Sequence, residues 1–236
     1  IGQSAVPALV PLLQHRDEEV RFFATYILSS LAAPEAIALL PRQFEDPSFA
    51  VRRVAAGMLR ALREQGEHRP LRRRLRRTLE HADPRLRKDA VAALGAIADR
   101  WSVGSIIALL EDPERTVAEA ARRALVNITK RDFKHNTTRW LSWWREHQHG
   151  ERVDCLLDGL VHRDEEVRVS SAVELEELRG EPLGFTRGMS KKERSRLRRR
   201  CREWWSFQQW WADNLHSAPP GAPDRTPPLL LPPAES

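Results

Sequence analysis

Apolar residues return along this chain at offsets that keep one face of a helix dry. Counting from Val20, a small residue follows at the fourth position (Ala24), leucine at the eighth (Leu28) and leucine at the eleventh (Leu31). The same signature restarts at Val51, Leu86, Val117 and Val167. It gives Ala55, Ala90, Ala121 and Ser171, then Leu59, Leu94, Leu125 and Leu175, then Leu62, Ile97, Ile128 and Leu178. Offsets of 4, 8 and 11 fall on one α-helical stripe, and the small residue admits a close neighbour. Five copies of one amphipathic helix predict a stack of repeats, each burying its face on the next.

Each predicted unit is two antiparallel helices joined by a short turn carrying aspartate. In the first unit Ser4 to Gln14 reads as the leading helix, and Asp17 starts the second. Asp46-Pro47, Asp83-Pro84 and Asp112-Pro113 read as an N-cap carboxylate followed by proline at the first helical position. The distance from turn aspartate to anchor alternates between three and five residues. The anchors stand 31, 35, 31 and 50 residues apart, so the last step contains an insertion. The pattern divides the chain into repeats 1–4 (residues 1–130), a Trp-rich insert (131–150), repeat 5 (151–179) and a basic Trp-rich helical cap (180–216). Residues 217–236, with seven prolines and no periodicity, are expected to form a disordered tail.

The aspartate turn, the Val-Arg pair and the small residue at fixed offsets resemble HEAT repeats, over about residues 4–179. The 31-residue period is similar to the short bacterial, phycobilin-lyase-type subclass. The insert strengthens the likeness: Ile128-Thr129-Lys130-Arg131-Asp132-Phe133, then Arg139-Trp140-Leu141-Ser142-Trp143-Trp144, resembles a segment carried by many bacterial HEAT-repeat proteins. A second copy runs from Leu178 to Phe185 and then Arg200-Cys201-Arg202-Glu203-Trp204-Trp205, with Cys201 where the first tryptophan belongs. The resemblance implies an all-α, right-handed α-solenoid (armadillo-type superhelix) of about five two-helix repeats, acting by binding other proteins. It also implies a structural ladder joining Asp17, Asp46, Asp83, Asp112 and Asp164 to Arg21, Arg52, Arg87 and Arg168. The alternative for those arginines is a basic stripe for phosphates.

Charge adds a second possibility. The net charge is +6, with 39 basic residues interleaved with 33 acidic ones. Two basic runs stand apart, around Arg73 and Arg76 and around Lys191, Lys192 and Arg198. Either is a solvated helix face or a site for an anionic partner. Arg53, Lys88, Arg122 and Arg123 lie beside the apolar stripe and are candidates for a binding face. Of eight tryptophans, seven fall in the two inserts, at spacings suited to core packing or to base stacking. Trp210 and Trp211, near the end of the last helix, are the ones expected to be exposed or to cap the stack.

No catalytic residue, metal ligand set or cofactor motif is assigned. His147 and His149 do not share a helix face, and no phosphate loop, nucleophile elbow or Cys-x-x-Cys pair occurs. Cys155 and Cys201 make no disulfide framework, which favours a reducing, cytoplasmic setting. The chain begins at Ile1 inside a helical pattern, so a targeting signal upstream is expected to be out of view. No apolar run approaches the roughly 18 residues of a membrane span. The sequence therefore predicts a monomeric, non-enzymatic protein-binding scaffold using the curved face of the solenoid. The alternative is nucleic-acid binding through the basic helices. A phycobilin-lyase-like enzyme is a minor alternative from the resemblance alone.

Overall fold

The computed structural model describes residues 3–31, 34–64 and 66–214. These are all-α: α1 (Val6–Leu9), α2 (Glu18–Ser30), α3 (Pro34–Leu39), α4 (Phe49–Glu64), α5 (Arg69–Thr78), α6 (Pro84–Ala96), α7 (Val103–Ala108), α8 (Arg115–Thr129), α9 (Thr137–His147), α10 (Arg152–Gly159), α11 (Glu165–Arg179) and α12 (Lys191–Asn214). The architecture is an α-solenoid of helix pairs. The expected end of the last helix at Leu215 and the tail at 217–236 lie outside the described residues.

The five anchor helices are α2, α4, α6, α8 and α11, and the sequence stripe is their buried face. Ala24, Ala55, Ala90, Ala121 and Ser171 are all buried, as are Leu28, Leu59, Leu94, Leu125 and Leu175. Removing one such leucine from water is worth roughly 2 kcal/mol, so the five-fold signature is also where stability is concentrated. The leading helices are shorter than expected. α1, α3 and α7 each tighten into a 3-10 turn, at Val10–Gln14, Leu40–Glu45 and Leu109–Glu111. In the first two, a proline (Pro11, Pro41) sits in the opening of that turn, where its missing amide costs little.

Small residues set the closest approach. A Cβ on Gly95 of α6 would lie 2.7 Å from both Cα and Cβ of Ala124 in α8. The contact is sealed by Asn127 Nδ2, which donates to the Gly95 carbonyl at 2.7 Å.

Two expectations need correcting. Asp-Pro is an N-cap plus first turn only at Asp83-Pro84. At Asp112-Pro113 the cap is Glu114 and α8 starts at Arg115, while α4 starts at Phe49, beyond Pro47. The longer turns thus keep Asp46 and Asp112 outside their helices, where both are almost wholly buried.

The second correction concerns neighbour order. α2 packs on α4 and α6 on α8, as consecutive units should, but α4 also packs on α11 rather than on α6, and α6 also packs on α3. Leu86, an anchor residue, is consequently 40% exposed while its counterparts Val51 and Val117 are fully buried. The expected single seam is two clusters. One runs from α2 to α8 and takes in Trp140, Val169 and Val173, and the other joins α10, α11 and α12. Phe185 packs on both.

The inserts are core elements. Trp140 is fully buried, stands edge-on to Phe133 at 4.9 Å and donates its indole N–H to the Lys134 carbonyl at 2.9 Å. In the second copy Cys201 is buried in one cluster with Leu197, Trp205 packs against that cluster, and Trp204 is buried as well.

Candidate interaction groove

The recurrent arginine has a constant local task. Arg21, Arg52, Arg87 and Arg168 each donate through Nη1 to the carbonyls five and six residues earlier, clamping the turn that starts their own helix. In the short turns a histidine assists. His15, His81 and His162 each accept through Nδ1 from the aspartate amide two residues on. That acceptor role requires an unprotonated Nδ1, and burial holds the His162 imidazole below its ordinary value.

The other edge of the arginine makes the ladder, and only on alternate repeats. Arg21 grips Asp46 at 2.6 and 3.1 Å, and Arg87 grips Asp112 at 2.9 and 2.8 Å. The Arg87 guanidinium holds the Asp112 carboxyl below the usual carboxylate range. Asp17, Asp83 and Asp164 are instead exposed N-caps, accepting from the amides of Glu19, Arg85 and Glu166. Arg52 finds Glu176 at 3.6 Å rather than Asp83, and Arg168 finds Glu165 at 3.5 Å. The unit of construction is therefore a pair of repeats, 66 residues long: His15 to His81, Arg21 to Arg87, Asp46 to Asp112.

Several candidate binding residues are structural. Arg76 forms a two-pronged pair with the buried Asp99 at 2.8 and 2.5 Å, and Ser102 also donates to that carboxylate. Arg122 does the same with Asp132 at 3.1 and 2.7 Å, and Lys134 adds a third contact at 2.9 Å. Asp132 is held well below the ordinary carboxylate range by these cations, against the effect of burial. Arg198 reaches Asp158 at 2.8 Å. Arg53, Arg73, Lys191 and Lys192 are exposed but scattered, on α4, α5 and the start of α12. Trp210 is 56% exposed, packed against Phe207 with ring centres 6.1 Å apart, and Trp211 is half-buried.

What the fold does gather is Lys88, Arg122 and Arg123. They line an open groove of about 1050 Å³ between α3, α6, α8 and α11. Small residues of α6 and α8 form its floor: Ala92, Gly95, Ala96, Ala120 and Ala124. Its rim carries both signs, with Arg42, Lys88 and Arg123 on one account and Asp164 and Glu166 on the other, all exposed.

Sequence reasoning missed a buried ionic cluster beside this groove. Lys130, in the left-handed conformation (φ 55°) and with its side chain fully covered, places Nζ 2.9 Å from Asn127 Oδ1, 2.9 Å from Ser170 Oγ and 3.2 Å from Glu174. Arg152 pairs with both oxygens of Glu174, at 2.6 and 2.8 Å, and donates to the carbonyls of Asn127 and Ile128 at the end of α8. Burial pushes the Lys130 ammonium down to about 8, while Arg152 and Lys130 pull the Glu174 carboxyl down to about 2. No sequence signal marks the cluster, since its members lie at the end of α8, in α10 and in α11.

Among the described residues no helix is long and apolar enough to cross a membrane, and no group of three His, Cys, Asp or Glu side chains could hold a metal ion. Residues 2–60 match the family model of HEAT repeats. HEAT repeats are thereby shown over that stretch. None of the curated proteins is similar enough to match. Among solved structures, an engineered protein is 19% identical, covering 84% of this chain and 97% of its own, with a TM-score of 0.27. A computationally designed armadillo repeat protein for modular peptide recognition is 22% identical, covering 74% and 82%, at 0.26. Another designed armadillo repeat protein, in complex with the peptide (KR)4, is 17% identical, covering 86% and 91%, at 0.26.

Proposed function

We propose that this HEAT-repeat chain is a protein-binding scaffold that holds an extended or helical segment of a partner in the groove between α3, α6, α8 and α11. The observation that carries this reading is the groove itself: a floor of alanine and glycine under a rim of exposed charges of both signs. A floor without large side chains lets a backbone lie close, and the mixed rim supplies register and specificity rather than bulk affinity. The proposal is binding without chemistry. The test compares proteins captured by the wild type with those captured by Lys88→Glu/Arg123→Glu, using Arg73→Glu as a control outside the groove. A partner lost only from the groove variant supports the reading, and identical capture by all three refutes it.

A second reading is favoured by one observation on α12. Its exposed positions run Lys192, Arg196, Arg199, Arg202 and then Phe207 and Trp210, whose rings are already stacked. Cations followed by an aromatic platform suit single-stranded nucleic acid. Fluorescence anisotropy with a labelled oligonucleotide over a salt series checks it. Binding that weakens with salt and is reduced by Trp210→Ala supports the reading, and no binding at low salt removes it.

A further inference from the structure

The contact between α4 and α11 joins parts of the chain that the repeat pattern places far apart. Arg60 grips both oxygens of Glu177 through Nε and Nη2, at 2.8 and 2.7 Å, across 117 residues. Arg63 approaches Glu174 to 3.8 Å and Arg52 approaches Glu176 to 3.6 Å. All three acids are on one stretch of α11, and all three arginines are on one side of α4. The carboxylates are nearly covered, whereas the Arg60 side chain is 41% exposed, so water and salt reach this row from the α4 side.

The same contact leaves a mark on α6. Arg52 occupies the register from which Arg21 and Arg87 reach forward to the next turn aspartate, and its next aspartate is Asp83. Asp83 is exposed, and the hydrogen bond described for its side chain is the one from the Arg85 amide. Three residues on, Leu86 is the exposed anchor. Both belong to the first turn of α6, the surface a preceding helix would cover if α4 stacked on α6 as α2 stacks on α4 and α6 on α8.

We propose that α4 and α11 form a releasable electrostatic clasp, and that the chain has a second, open arrangement in which α4 packs on α6, Leu86 is covered and Arg52 pairs with Asp83. Opening releases the three arginine–carboxylate contacts between α4 and α11, forms the Arg52–Asp83 pair and the apolar contact over Leu86 instead, and keeps every helix intact. Closing the clasp ties repeat 2, which supplies α3, to repeat 5, which supplies α11, and both helices line the groove. Opening it widens the groove. The functional consequence rests on the groove reading above, whereas the clasp is measured by shape alone and can fail independently.

The experiment is small-angle X-ray scattering of the full chain, with circular dichroism on the same samples. At about 1 M salt the screening length falls to roughly 3 Å, which weakens the Arg60 row from its exposed side. The expected result is a rise of the radius of gyration by a few ångströms, above the roughly 18 Å of a compact chain of this length, with the helix signal unchanged. Arg60→Glu should give the same expansion at low salt, and Arg60→Glu/Glu177→Arg should restore the compact value. Asp83→Asn should lower the melting temperature in the Arg60→Glu background and leave the wild type nearly unaffected. If neither salt nor Arg60→Glu changes the radius, or if expansion comes with loss of helix, the proposal is overturned. Should Arg60→Glu fail to fold, the salt series on the wild type decides by the same two outcomes.

Discussion

Replacing Glu174 by glutamine should destabilise the protein severely at neutral pH, whereas Lys130→Met should cost little. Glu174 is the shared anion of two covered cations, fully buried Lys130 and Arg152. Its carboxyl falls from 4.5 to about 2, which corresponds to about 3 kcal/mol of stability at about 1.4 kcal/mol per unit. This folded-state value is depressed, so the contribution is present above pH 4.5 and lost as pH falls through 2. Lys130 falls from 10.5 to about 8, which costs a similar 3 kcal/mol or so at pH 7, because the folded state resists the proton. The cost disappears as pH rises from 8 to 10.5, where the unfolded chain binds more protons. The two effects nearly cancel at pH 7. Glu174→Gln removes the favourable half and leaves two buried cations without their anion, a loss of about 3–5 kcal/mol. Lys130→Met leaves Glu174 with its two-pronged Arg152 partner and should cost about 1 kcal/mol or less. Urea unfolding at pH 7 reads both, and thermal melts should show Glu174→Gln about 10 °C lower. Without the anion, Lys130 should titrate below 8, so the deficit of Glu174→Gln should narrow as pH approaches 8 and stay level above it. Equal losses from the two variants, or a deficit that grows between pH 7 and 8, would refute the reasoning.

Gly95→Ala should lower stability by about 1–3 kcal/mol in urea unfolding, although alanine is the better helix former, because its Cβ meets the Ala124 backbone at 2.7 Å. Asp112→Ala should cost about 2 kcal/mol at pH 7, since it removes a charged two-pronged contact from Arg87, and this loss should shrink in acid once the wild-type carboxyl is itself protonated. Asp83→Ala, an exposed cap, should cost only about 1 kcal/mol. Thiol titration of the native protein should find Cys155 reacting well before Cys201, which is buried and has its thiol pushed up to about 11. Trp140→Ala should lower stability by about 3–5 kcal/mol, far more than Trp101→Ala, where the ring is 86% exposed.

The sequence by itself determined the helices and their faces. The residues at offsets 4 and 8 are buried in every copy and those at offset 11 are buried or half-buried, because a helical stripe is a local property and any partner will satisfy it. It also held the alternation of turns, through the spacing of Asp46 and Asp112 from their anchors, though not the consequence that only those two acids would receive an arginine. That consequence needed coordinates: two extra residues lift the aspartate out of the cap and into reach of the preceding repeat. Among the binding candidates, Lys88 and Arg123 share one groove, while Arg76 and Arg122 are consumed by Asp99 and Asp132. A basic residue looks the same in a sequence whether its carboxylate is water-side or buried nearby.

Which repeat lies beside which was decided only in three dimensions. Every anchor helix presents a similar apolar stripe, so hydrophobic burial alone does not distinguish α4 on α6 from α4 on α11. The α4–α11 contact carries a row of arginines meeting Glu174, Glu176 and Glu177, charges whose pairing spans more than a hundred residues and leaves no periodic trace.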